Sequence, residues 1–217
     1  APMQYLAPYT GAALAEYFRD APDPDKLWTI ALLSGRRPRR SVTTTELRQW
    51  AAEEAGLPLW LFEESYPVVG DLAETIALVL PEPQATSDRS LTDWIDRIRA
   101  LTGRPVDGRW AAITGAWAEL PQDQRFLFNK LITGGFRMGV SQKLMTRALS
   151  QATGLDEAEL AHRLMGSWTP ETVSFTTLIH LNDPVAHLSR PYPFYLAYPL
   201  EAAPGTIRAS HADLGEY

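Results

Sequence analysis

A helix that stops at glycine, a basic loop, a second helix and a Gly-Leu exit occur twice in this chain. The first copy runs through Leu32-Leu33-Ser34-Gly35-Arg36-Arg37-Pro38-Arg39-Arg40-Ser41 into a helix pattern over Thr43 to Ala55, stopping at Gly56-Leu57. The second runs through Leu131-Ile132-Thr133-Gly134-Gly135-Phe136-Arg137-Met138-Gly139-Val140-Ser141-Gln142-Lys143 into a helix stopping at Thr153-Gly154-Leu155. Gly35 and Gly56 are 21 residues apart, Gly134 and Gly154 20 apart. A single helix–glycine–helix corner is common and recurs by chance. Recurrence of both the polar-plus-glycine stop and the Gly-Leu exit favours an internal duplication.

Both loops suit a phosphate. In the second, glycines let the backbone turn sharply and approach a ligand closely. Ser141 is a good N-cap, so the N–H groups of residues 142 to 144 point out of a helix start that favours anions. Arg137 and Lys143 flank that start, and Arg147 lies one turn beyond Lys143 on the same face. In the first loop, four of the five residues from Arg36 to Arg40 are arginine. Arg125, Lys130, Arg137, Lys143 and Arg147 are expected to cluster around the second loop. Acidic residues concentrate elsewhere, at Glu53, Glu54, Glu63, Glu64 and Glu74. A net charge of −6 argues against general nucleic-acid stickiness, but a basic face on an acidic body remains a workable footprint. The alternative is that both clusters are merely solvated.

The remaining segments read as helices with recognisable ends. Thr10 to Asp20 is amphipathic, and Pro24 opens a helix ending at Gly35. Thr43 and Glu46 have capping-box spacing. Pro58 opens Leu59 to Ser65, Gly70-Asp71 precedes a helix carrying Leu72, Ile76 and Val79, and Ser90 caps a helix ending at Gly103. Trp110, Ile113 and Trp117 mark another helix, and Pro121 starts the one that reaches Gly134. Asp156 and Glu159 form a further capping box before Gly166, and Thr169-Pro170-Glu171 begins a last helix through about His180. Strand alternation is nearly absent. The pattern predicts an all-α domain of about a dozen helices over residues 1–182, in two related halves around one core. A Pro-rich extended strap and tail follow over 183–217, typified by Arg190-Pro191-Tyr192-Pro193-Phe194-Tyr195, which cannot be helical throughout.

Catalytic signatures are missing. With no cysteine in 217 residues, thiolate nucleophiles, thiolate zinc sites and disulfides are excluded. His162, His180, His187 and His211 have no metal-site spacing. No phosphate-loop signature occurs. Asp71 reads as a helix cap, most of the seven tryptophans sit at core spacing, and Phe136 reads either as a loop anchor or as a minor-groove wedge. No apolar run is long enough to span a bilayer.

Leu131 to Leu149, Val69 to Leu80 and Arg190 to Leu200, supported by Leu32 to Arg40, resemble the N-terminal DNA-binding domain of ATP-dependent DNA ligases, especially bacterial ones. The resemblance covers about Leu27 to Leu200, and the Gly-Phe-Arg-Met-Gly-Val-Ser loop is its most specific part. It implies an all-helical, pseudo-two-fold domain that binds nicked double-stranded DNA across the minor groove without reading sequence. It places Gly134, Gly135, Arg137, Gly139 and Lys143 at one DNA-contacting loop and Arg36, Arg37 and Arg39 at the other; Ser141, Arg147 and Arg40 join the expected DNA-binding residues from their own position in and beside these loops. The first twenty residues fit the family poorly. Lys26, Lys130 and Lys143 are the only lysines, and none stands in the Lys-x-Asp-Gly motif that takes AMP from ATP. The expectation is therefore a non-catalytic, monomeric, cytoplasmic and nucleoid-associated domain without a cofactor. ATP and magnesium would belong to the catalytic domains of the same ligase. The rival reading is a helical scaffold docking the rest of the ligase or a repair partner.

Overall fold

Local capping sets most element boundaries. Thr43 caps one helix through a complete box with Glu46, and Ser90 caps another with Asp93. Asp71 accepts from Glu74 N at 3.1 Å and Ser141 accepts from Leu144 N at 3.1 Å. The computed structural model describes residues 3–83, 86–134 and 140–180. Among these residues the fold is all-α. Its eleven helices are α1 (Met3–Asp20), α2 (Asp23–Leu33), α3 (Thr44–Glu54), α4 (Leu59–Val69), α5 (Leu72–Val79), α6 (Leu91–Arg99), α7 (Val106–Glu119), α8 (Gln122–Thr133), α9 (Gln142–Thr153), α10 (Glu157–Leu164) and α11 (Phe175–His180). Gly135, Phe136, Arg137, Met138 and Gly139 lie outside the described residues, as does the expected strap over 183–217.

The packing order repeats under a two-fold exchange of α1–α5 with α7–α11. α3 packs on α4 and α4 on α5, as α9 packs on α10 and α10 on α11. The halves then cross: α5 packs on α8 while α11 packs on α2, and α9 lies along α1 while α3 touches α7. Such reciprocity, i on j and j on i, is what a pseudo-two-fold axis requires. α6 contacts both α2 and α8. The four glycines that define the repeat all adopt positive φ: Gly35 +81°, Gly56 +64°, Gly134 +75° and Gly154 +75°. α1 is integral through its packing on α9, where a Cβ on Gly11 would lie 3.1 Å from Leu144 Cδ1.

One core runs through both halves, including Ile30, Leu47, Phe62, Ile76, Ile113, Trp117, Met145, Leu149 and Leu160. A buried polar line on α8 joins its neighbours. Asn129 Oδ1 accepts from Trp117 Nε1 at 2.8 Å, and its Nδ2 donates to Ala73 O at 3.3 Å. One turn earlier, Arg125 donates to Trp117 O at 2.7 Å and to Pro81 O at 2.6 Å. At the other end, buried Asp25 accepts from Thr92 N at 2.9 Å, fixing α2 to the start of α6.

Two helix boundaries, one capping box and one basic-surface residue differ from the expectation. α4 continues past Ser65 to Val69, because Pro67 falls in its last turn and the helix closes at Gly70, whose N–H reaches Tyr66 O at 2.8 Å. Thr169-Pro170-Glu171 forms a turn closed by Thr172 N to Thr169 O at 3.0 Å, and the helix begins only at Phe175. Asp156 caps α10, but Glu159 turns to Arg163 instead of back to the cap. Arg125 is not part of a basic surface, being only 3% exposed. Arg125→Ala strips three carbonyls of their donor and is expected to cost about 3 kcal/mol in urea unfolding; a loss below about 1 kcal/mol would contradict this role.

Candidate nucleic-acid interface

The first basic loop begins with a turn that sorts its arginines. Gly35 follows α2, Gly35 N–H donates to Leu32 O at 3.0 Å and Arg36 N–H donates back to Ala31 O at 2.8 Å. This double bond pattern fixes Arg36 against the helix end. Its guanidinium donates from Nη2 to Leu164 O at 3.2 Å and Gly166 O at 2.9 Å, and lies 4.4 Å from the Trp168 ring centroid. Trp168 is buried and donates its Nε1 to the same Leu164 O at 3.1 Å. Arg36 thus joins the first loop to the C-terminal end of α10, where a cation is favoured. Burial pushes its pKa down.

The following residues alternate between anchored and exposed. Arg37 is exposed, and its Nη1 lies 3.0 Å from where a Cβ on Gly134 would stand. Arg39 is exposed. Arg40 donates from Nη2 to Thr133 O at 3.1 Å. Ser41 Oγ is 2.9 Å from Thr102 Oγ1, Val42 is 1% exposed, and Thr43 starts the capping box of α3. The loop is therefore held at Arg36, Arg40, Ser41, Val42 and Thr43, and Arg37 and Arg40 seat it on the end of α8.

That end opens the second loop. Gly134 terminates α8 with its N–H on Lys130 O at 3.0 Å. Of the expected residues beyond it, Gly135, Arg137 and Gly139 are undescribed, and the structure resumes at Val140, which packs on the core. Ser141 caps α9, Lys143 is exposed on its first turn, and exposed Arg147 pairs with Glu157 at 3.3 Å. Lys130 does not join this surface: it pairs with Asp71 and holds the start of α5 to the last turn of α8. No acidic residue occurs from Lys26 to Thr45 or from Gln124 to Leu155. The structure thus brings the first loop to the start of the second, turns Arg36 inward, and leaves Arg37, Arg39 and Lys143 exposed without an ion pair among the described residues. Trp168 was missed as a site-building residue; the available signal was Arg36 itself, placed directly after a left-handed glycine.

Among the described residues no group of His, Asp and Glu could hold a metal ion, and no helix is long and apolar enough to cross a membrane. Of the three lysines, Lys26 donates to Arg19 O at 3.3 Å, Lys130 is paired and Lys143 is exposed.

Fold and site define a duplicated all-helical module whose first basic loop is seated on the C-terminal end of α8. Residues 10–163 match the family described as DNA ligase N terminus, and the chain belongs to this N-terminal domain family of ATP-dependent DNA ligases. No curated protein matches the chain.

Two outcomes test this geometry. Gly134→Ala places a Cβ at positive φ against Arg37 and is expected to cost about 1 to 2 kcal/mol. Gly115→Ala, in open space on α7, is expected to gain about 0.5 to 1 kcal/mol. Equal effects in urea unfolding would refute the assigned role of Gly134. Burial raises the Asp71 carboxyl, but hydrogen bonds from Lys130 and the Glu74 amide outweigh it and hold the group below its usual range. A lowered folded value means the contribution is complete above about pH 5 and fades as pH falls through that value. Asp71→Asn is therefore expected to flatten the acid limb of a stability–pH curve; an unchanged limb would show that the pair contributes nothing.

Proposed function

We propose that this chain grips nicked double-stranded DNA by its phosphates, without reading sequence and without a covalent step, as the DNA-binding domain of an ATP-dependent ligase. The observation that carries the reading is the seating of Arg37 and Arg40 against Gly134 and Thr133, which gathers two acid-free basic segments at one place. Arg37, Arg39, Arg40, Arg137, Lys143 and Arg147 supply charge, and backbone N–H groups around Gly134, Gly135, Gly139 and Ser141 supply neutral hydrogen bonds. Arg36 acts one step back, as a positioning residue. Two-fold-related modules also suit a duplex, whose antiparallel strands carry local two-fold symmetry. The catalytic domains of the same ligase would bring ATP and magnesium. In this reading the domain works at the nucleoid, in the cytoplasm of a bacterial cell.

Fluorescence anisotropy of a labelled nicked duplex across a salt series tests the proposal. Affinity is expected to fall linearly in log salt and to be indifferent to sequence. Arg37→Ala, Arg39→Ala and Arg137→Ala should each reduce the slope by about one unit. Trp168→Leu removes no charge, yet should weaken binding about fivefold by releasing Arg36. Absence of binding at low salt would defeat the function. Binding with Trp168→Leu unaffected would defeat only the positioning role.

A further inference from the structure

From Gln49 to Asp88 the chain holds eight acidic residues and neither lysine nor arginine. The acids are Glu53, Glu54, Glu63, Glu64, Asp71, Glu74, Glu82 and Asp88. Within this stretch α4 is apolar on nearly every side, yet Phe62 is its one fully buried residue. A helix of that composition is ordinarily enclosed. Here Trp60 is 64% exposed and Val68 87%, with Leu59 and Leu61 also exposed. Trp60, Glu64 and Val68 stand at successive i, i+4 positions, so a carboxylate sits between the two most exposed apolar side chains on one stripe. Large apolar side chains exposed together on a charged surface mark an interaction site.

Its chemistry selects the occupant. Arg48 of α3 reaches α4, 3.8 Å from Glu63 and 6.0 Å from the Tyr66 ring centroid, but Glu64 on the exposed stripe has no ion pair among the described residues, so nucleic-acid phosphates and anionic lipid headgroups are disfavoured there. A second copy docked symmetrically would oppose Glu64 to Glu64 across the axis. A protein segment that combines bulky apolar side chains with lysine or arginine satisfies both the stripe and its charge. We propose that α4 is a docking surface for such a basic, apolar segment of a partner protein, separate from the DNA-gripping loops. This inference does not rest on the DNA-binding reading.

The test uses the full chain and an amphipathic peptide helix with one leucine face and one lysine face, followed by NMR shift changes. A twin peptide carries glutamate in place of lysine. Shifts confined to Leu59–Val69 and the Trp60 indole are expected with the lysine peptide and not with its twin. The double variant Trp60→Ser/Val68→Ser should weaken binding at least about tenfold, and Glu64→Lys about threefold, with thermal melting unchanged because these side chains are exposed. Equal binding of the glutamate twin would overturn the charge argument. So would full affinity in the double variant, or shifts spread over other acidic helices. A concentration-dependent dimer in sedimentation that the double variant abolishes would assign the stripe to a second copy and overturn the proposal.

Discussion

The geometry of the first basic loop depends on one half-buried cation. Arg36 leaves the turn after α2 and ends on two carbonyls and an aromatic face supplied by residues at and just beyond the C-terminal end of α10. Charge-assisted bonds to backbone carbonyls in a half-buried setting contribute about 1.5 to 3 kcal/mol each when the donor is otherwise unsolvated. That is enough to hold a short loop in one arrangement. With Arg36 fixed, the next residues have little freedom: Arg37 reaches Gly134, Arg40 reaches Thr133, and Val42 enters the core. The interaction spans the two halves of the repeat, joining the loop after α2 to the C-terminal end of α10.

Charge is divided along the chain as clearly as packing is. Two windows free of acid carry the basic loops, and a forty-residue window free of base, Gln49 to Asp88, carries the end of α3 and all of α4 and α5. Segregation of this kind lets a molecule of net charge −6 carry base-rich segments apart from acid-rich ones, the first at the loops and the second around α4. The ligase family assignment agrees with the first surface. The second is a property of these residues alone.

Local signals were legible and distant ones were not. Thr43 with Glu46, Ser90 with Asp93 and Asp71 before Leu72 could be read because a cap is decided within four residues. The repeat was legible because left-handed stops need glycine, and all four adopt that conformation. The roles of the cations were not legible. Arg36 and Arg37 are neighbours of one type, and what separates them is Gly166, 130 residues further on. Lys130 looked like part of the basic cluster until Asp71, 59 residues earlier, took its charge. Arg125 looked the same until Trp117 and Pro81 presented their carbonyls. The exposure of α4 was equally hidden, since an apolar helix between Pro58 and Gly70 reads as core until its neighbours are placed.

Distance between the two loops is the most direct measurement, and the absence of native cysteine makes it clean. Spin labels at Arg39→Cys and Gln142→Cys, read by double electron–electron resonance, report the spacing across the gap. The account requires one narrow distance distribution in the free protein, unchanged by nicked duplex and broadened by Arg36→Ala. A broad distribution in the free protein that narrows only on DNA, with Arg36→Ala indistinguishable, would contradict a surface built in advance by that arginine.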